Sequence, residues 1–151
     1  MGRHRICLER GARMSTVLRP TLSENNPYHI SKHRYYELKH FCLQYPDWKR
    51  AHAEIDAMAR GDAFERTSKT NKVINVTADC AEAKLYYQIR MDMVQRCAEL
   101  ADPVLAPYIV KAVTSNLSYD YLKSKLDIPA SKGTYFDRYR KFFWNLSKAR
   151  N

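Results

Sequence analysis

The sequence predicts an all-α protein, namely a helical bundle with a C-terminal helix-turn-helix. Only 4 of its 151 residues are glycine, and 45% are apolar, which is ordinary for a globular chain. Alternating apolar and polar residues, typical of strands, are scarce, whereas apolar residues recur at spacings of three and four. Serines and prolines stand where such helices should begin.

The chain is expected to divide into three parts. Residues 1–29 are a basic, flexible arm. Within it, residues 1–13 either follow DNA phosphates or are a disordered extension before a second start at Met14. Residues 30–102 form an N-terminal helical bundle, with a loop over 61–77 that is rich in Ser, Thr, Asn and Lys. Residues 103–151 form the helix-turn-helix domain.

Two helices should open the bundle. The first runs from the capping Ser31 to Gln44. The second starts at Pro46 or Asp47, since proline suits a first helical turn, and stops at Gly61. Their core-facing apolar residues should be Tyr35, Leu38, Phe41, Cys42 and Tyr45 in the first helix, and Trp48, Ala51, Ile55 and Met58 in the second.

Two further helices should follow the loop. A long third helix spans about 78–100 and a fourth begins near Pro103 and ends near Ser115. The apolar period of the third helix selects Ala81, Leu85, Tyr86, Ile89, Met93, Cys97 and Leu100 as its core face. That of the fourth selects Leu105, Tyr108, Ile109, Ala112 and Val113.

The C-terminal residues predict a short helix, a tight turn and a longer helix. Ser118 should cap the helix over 119–126, and Ile128 should fill the core between the two helices. Ser131 should cap the last helix, which ends near Lys148. Its buried face should consist of Tyr135, Tyr139, Phe142, Phe143 and Leu146.

Charge indicates the class of partner. Lys and Arg number 26 against 16 Asp and Glu, so the net charge is +10 and the isoelectric point is near 9.5, as is typical of nucleic-acid-binding domains. A helix-turn-helix places the start of its second helix in the DNA major groove. The predicted DNA-binding residues are therefore the outward-facing polar ones of the last helix, Ser131, Lys132, Thr134, Asp137, Arg138 and Lys141.

Several other classes of protein find no support in the sequence. No phosphate-binding loop, nucleophile motif or carboxylate pair is recognisable, so we expect neither an enzyme nor a cofactor. The four cysteines lack metal-binding spacing and the histidines complete no ligand set, so we expect no metal site. No apolar run is long enough to span a membrane. Reduced thiols fit the cytoplasm of a bacterial host cell.

A family resemblance is carried by the run SYDYLKSKLDIPASKGTYFDRYRKFFWNLSKA. It resembles the C-terminal region of ArpU/RinA-type phage transcription regulators, which look like the helix-turn-helix of sigma-factor region 4. The matching residues are Leu122, Leu126, Ile128, Ser131, Thr134, Tyr135, Arg138, Arg140 and Lys141. The run departs from that pattern at Phe142, Phe143 and Trp144, which replace smaller residues. The segment NPYHISKHRYYELKHFCLQYPDWK also resembles small phage and prophage proteins of Gram-positive bacteria.

The predicted function is sequence-specific binding of double-stranded DNA by a phage or prophage transcription regulator. The resemblance implies RNA polymerase or another protein as a second partner, and dimerisation through the N-terminal bundle fits a symmetric DNA site. Two alternatives stay open. One is a DNA-packaging or assembly protein, such as a small terminase-like subunit. The other is a protein-interaction module that inhibits a host factor through the aromatic last helix and the loop over 61–77.

Overall fold

A computed structural model describes residues 25–60 and 76–151, and within these ranges the chain is all-helical, as predicted. Expectations for the arm over 1–24 and the loop over 61–75, including the helix stop at Gly61, lie outside the described residues. The helices in the described ranges are α1 (Lys32–Leu43), α2 (Tyr45–Ala59), α3 (Val76–Ala101), α4 (Ala106–Ser115), α5 (Tyr119–Leu126) and α6 (Lys132–Ala149).

The starts of the first two helices follow from local chemistry. The Ser31 hydroxyl accepts the backbone N–H of Arg34, so an N–H without a partner inside α1 is satisfied. Gln44 ends α1 and directly precedes α2. Pro46 lies in the first turn of α2, where its missing N–H has no consequence. The predicted helices are thus confirmed, with α2 beginning one residue early at Tyr45.

The turn between α3 and α4 is built on Asp102. Its carboxylate accepts the backbone N–H groups of Val104 and Leu105 at 2.9 and 3.2 Å. This turn delays α4, which begins at Ala106 and not near Pro103 as predicted. Asn116 ends α4 in the left-handed conformation, with a φ of 52°.

The core is a single cluster of buried residues that runs through the whole described bundle. Helix α3 packs against α2, α4 and α6, and α1 packs against α4 and α6. The side chains excluded most completely from solvent come from α1, α3, α4, α5, α6 and the turn before α6. The core therefore crosses the predicted domain boundary at residues 102 and 103, because α1 and α3 both support α6.

Most of the residues predicted to form the core face of α3 are not buried. Met91, Val94, Ala98 and Ala101 face the core together with Cys97, the one fully buried residue of the predicted set. Apolar residues occupy two sides of α3, so the period alone did not determine which side the neighbouring helices cover. Five residues predicted to be buried are exposed, namely Ala81, Leu85 (59%), Tyr86 (48%), Ile89 (50%) and Leu100 (65%).

The predicted face of α2 needs a smaller correction. Trp48 is buried, and its ring lies 4.7 Å from that of Phe41 between centroids. Ala51 and Ile55 are half-buried. Met58 is exposed, because it lies in the last turn of α2, beyond the buried part of this helix.

Candidate nucleic-acid interface

Helix α5 begins and packs as the sequence predicts. The Ser118 hydroxyl accepts the backbone N–H of Tyr121 at 3.2 Å. Tyr119 and Leu122 are buried, whereas Tyr121 faces solvent. Leu126 is half-buried against the core. The polar side of α5 therefore faces solvent.

The turn between α5 and α6 is closed by three local features. Asp127 ends α5 in the left-handed conformation, with a φ of 47°, at a position where many such turns carry glycine. Aspartate adopts this conformation more readily than most other residues. Ile128 is fully buried, which confirms its predicted place in the core. The Tyr119 hydroxyl donates to the Ala130 carbonyl at 2.7 Å and ties α5 to the turn.

The first turn of α6 is capped and open to solvent. The Ser131 hydroxyl accepts the backbone N–H of Thr134, and the two hydroxyls lie 2.9 Å apart. A Cβ placed on Gly133 would meet no atom within 4 Å. Backbone N–H groups at a helix start attract anions, since they have no acceptor inside the helix. This turn can therefore receive an anionic group at close range.

Buried rings hold the opposite side of α6. Tyr135, Phe142, Phe143 and Leu146 are all buried, as predicted. Phe143 lies 4.9 Å from the ring of Tyr35 on α1 between centroids. These contacts position α6 firmly against the bundle.

Tyr139 is half-buried on the same helix, and its hydroxyl lies 3.5 Å from that of Tyr35. Burial raises the pKa of the Tyr139 hydroxyl well above its usual range and also raises the pKa of Tyr35. Both hydroxyls are therefore neutral at physiological pH.

The six predicted DNA-binding residues fall into two groups. The first group is exposed around the start of α6 and comprises Ser131, Lys132 and Thr134. The second group is half-buried further along α6 and comprises Asp137, Arg138 and Lys141. The first group is therefore more accessible to a large partner than the second.

Arg138 is engaged with the bundle. Its Nε lies 3.4 Å from the carboxylate of Asp102 in the turn between α3 and α4, and one terminal nitrogen lies 3.5 Å from Asp137. Its side chain is only 35% exposed. Arg138 thus links α6 to the α3–α4 turn.

Lys132 and Lys141, the two lysines predicted to contact DNA, differ in their surroundings. The Lys132 ammonium lies 3.8 Å from the Asp120 carboxylate, with both side chains largely exposed. Exposed pairs of this kind contribute little and exchange readily with other anions. No carboxylate lies within ion-pair distance of Lys141 in the described part of the chain.

The outer side of α6 carries a feature that the sequence reasoning missed. The Lys148 ammonium lies 3.4 Å above the ring of Trp144, and Tyr28 packs edge-on against that ring at 5.7 Å between centroids. The spacing of Trp144 and Lys148 by four residues was the available signal. Tyr28, which precedes α1, therefore lies against the C-terminal half of α6.

Lys123 and Lys125 of α5 were also left out of the predicted site. Both are exposed. The Lys123 ammonium lies 3.4 Å from the Ile128 carbonyl and 3.7 Å from the Asp127 carboxylate, beside the turn. Their positions on the polar side of α5 could have been read from the helical spacing of Tyr119 and Leu122.

Other kinds of site are not apparent in the ranges 25–60 and 76–151. Their His, Cys, Asp and Glu side chains form no group of three or more that could hold a metal ion. None of their helices combines the length and apolar character needed to cross a membrane. Comparison with known proteins finds no matching family model, no matching curated protein and no matching solved structure. The resemblance to phage regulators is therefore carried by the quoted residues alone.

Proposed function

We propose that this chain binds double-stranded DNA through the first turn and outer side of α6. The observation that carries the proposal is the exposed, capped turn at Ser131, Lys132 and Thr134, on a helix held from behind by buried rings. Hydroxyls, lysines and free backbone N–H groups at a helix start are the usual ligands of DNA phosphates. Because α6 is already held in place, these groups lose little conformational entropy on binding.

Charge supports the same partner. The net charge of +10 attracts a polyanion at long range, and residues 107–151 contain nine Lys and Arg against three Asp and Glu. Lys141 adds a cation without a carboxylate partner among the described residues, nine residues or about two and a half turns beyond Lys132 and on the other side of α6. The surface ion pair of Lys132 with Asp120 would exchange for a phosphate at small cost.

The proposal assigns different roles to the six residues of the predicted site. Ser131, Lys132, Thr134 and Lys141 contact phosphates. Arg138 orients α6 through Asp102, since a half-buried, ion-paired guanidinium is poorly placed to reach base edges. Asp137 lies beside Arg138 and supports its orientation.

The biological role is a further step of the proposal. The resemblance of residues 118–149 to phage regulators supports a transcription regulator that recognises a particular sequence. A packaging protein would bind DNA without such preference. Selection of bound duplexes from a random pool distinguishes the two, because a regulator enriches one motif whereas a packaging protein enriches none. A chain that inhibits a host factor would bind no duplex at all.

The direct test compares two double variants that remove equal charge. Lys132→Ala with Lys141→Ala alters the proposed interface, and Lys49→Ala with Arg50→Ala alters exposed cations on α2. Affinity for a fluorescent duplex is measured by anisotropy over a range of salt concentrations. We expect the interface variant to flatten the slope of log affinity against log salt by about 1.8, because each phosphate contact contributes about 0.9. The α2 variant should keep the wild-type slope.

Two outcomes would contradict the proposal. Equal losses in both double variants would mean that only the total charge matters. A wild-type affinity that does not change with salt would mean that phosphate contacts do not drive binding. Circular dichroism of each variant confirms that the helices are intact before binding is compared.

A further inference from the structure

The outer side of α3 is an apolar surface without a neighbour in the described structure. Leu85, Ile89 and Leu100 are each at least half exposed, with Met93 half-buried among them. Their spacings of four, four and seven residues place them in one line along a helix of 26 residues. An apolar line this long is unusual on an isolated soluble domain and is typical of a binding surface. We call these four residues the α3 stripe.

In one orientation, the charges along the α3 stripe of one copy are complementary to those of a second copy. Glu82 and Arg96 are exposed, and each lies seven residues, or two helical turns, from Ile89. Neither forms an ion pair within the described ranges. If two copies of α3 cross antiparallel at Ile89, the Glu82 of each copy meets the Arg96 of the other. A parallel crossing would set Glu82 against Glu82 and Arg96 against Arg96, which is unfavourable.

The shape beside the stripe also fits a second helix. A groove of about 570 Å³ runs along the C-terminal half of α3, between Ile89 and Leu100, with Asn145 and Lys148 of α6 along its other side. Arg96 and Lys148 line this groove with one carboxylate, Asp92, so its lining carries a small net positive charge, whereas the N-terminal half of α3 exposes Asp79 and Glu82. An antiparallel partner would lay Asp79 and Glu82 of its own α3 along the side of this groove that carries Arg96.

We propose that the α3 stripe is the contact surface for a second copy of this chain, with the two α3 helices antiparallel about Ile89. This proposal stands independently of DNA binding, since it uses none of the residues at the start of α6. One helix pair and its flanking groove form a small interface, so the dimer should dissociate in the micromolar range or above. A symmetric contact of this kind is self-complementary and closes at two copies.

The experiment measures molecular mass by sedimentation from about 1 µM to about 1 mM chain, the range in which small interfaces dissociate. The wild type should rise from 17.7 kDa towards twice that mass. Ile89→Lys should remain monomeric throughout, because it brings two ammonium groups together at the symmetry axis. Tyr121→Lys, at an exposed ring on α5, is the matched control and should dimerise as the wild type does.

Charge reversal tests the orientation. Arg96→Glu should weaken the dimer at least tenfold, because it sets like charges opposite each other, and adding Glu82→Arg should restore it. Failure of the second change to restore the dimer overturns the antiparallel arrangement. A wild type that stays monomeric at the highest concentration, or a dimer that survives Ile89→Lys, overturns the assignment of the stripe. The substituted positions are all exposed, so the variants should fold.

Discussion

At the scale of single residues, the aromatic side of α6 does the most to hold the proposed interface in place. Phe142 is fully buried, and its ring lies 5.0 Å from that of Phe143 between centroids. Tyr135 is buried on the same side. Because these rings reach α1 and the core, α6 presents its first turn from a fixed base.

Removal of one ring should therefore be costly. We expect Phe142→Ala to lower the free energy of unfolding by about 3–5 kcal/mol, because it deletes a fully buried ring and leaves a cavity. Urea unfolding followed by circular dichroism measures the change. Tyr121→Ala is the control, since its ring is exposed and its loss should cost about 0.5 kcal/mol or less. Equal effects of the two changes would contradict the structural role given to α6.

Single residues also show where charge and structure compete. Arg138 has the residue type and helical position of a DNA contact, but Asp102 holds its guanidinium. Asp102 also accepts two backbone N–H groups of the α3–α4 turn. The same carboxylate thus organises a turn and restrains an arginine of α6, which sequence spacing alone does not reveal.

At the scale of elements, α5 and α6 are defined by their ends. Ser118 and Ser131 cap the two helices in the same manner, each through a hydroxyl that accepts an N–H three residues on. Asp127 and the buried Ile128 fix the turn between them. The orientation of the first turn of α6 therefore depends on a few local interactions near residue 131.

The cap of α6 provides the prediction at this scale. We expect Ser131→Ala to destabilise the protein by about 0.5–2 kcal/mol, because the Thr134 N–H loses its acceptor. Ser124→Ala is the matched control. Its serine lies inside α5 and is exposed, and alanine has the higher helix propensity there. Thermal unfolding measures both. A control that is as destabilised as the Ser131 variant would show that the cap has no special role.

At the scale of the whole molecule, one core joins all six described helices. It contains a group of tyrosines between α1 and α6, formed by Tyr35, Tyr135 and Tyr139. Burial is the largest cause that raises the pKa of each of the three hydroxyls. Their neutral form is thus part of the folded state.

The molecule should therefore lose stability in alkaline solution. The folded chain holds these phenolic protons more tightly than the unfolded chain, whose tyrosines ionise near pH 10. The stability contributed by the raised pKa values is complete below about pH 10 and is lost as the pH rises through them. Tyr35→Phe with Tyr139→Phe should move the loss of helicity to higher pH. Absorbance follows the ionisation of the tyrosines. If the helices persist after every tyrosine has ionised, this expectation is wrong.

The sequence by itself determined the helices, because their signals are local. The serine caps, the prolines in first turns and the ring spacing of α6 each act within a few residues, so α5, α6 and the buried side of α6 could be read directly. The exposed start of the proposed interface, at Ser131 and Lys132, was predictable for the same reason. The residue types and their helical positions suffice to place it.

Only the tertiary structure decided which surfaces remain free. Helix α3 carries apolar residues on two sides, and the packing of α2, α4 and α6 selected the side of Val94 while leaving the side of Ile89 exposed. Likewise, Asp102 approaches Arg138 only because the α3–α4 turn lies beside α6. Such choices depend on contacts between residues far apart in the chain, and local periodicity carries no information about them.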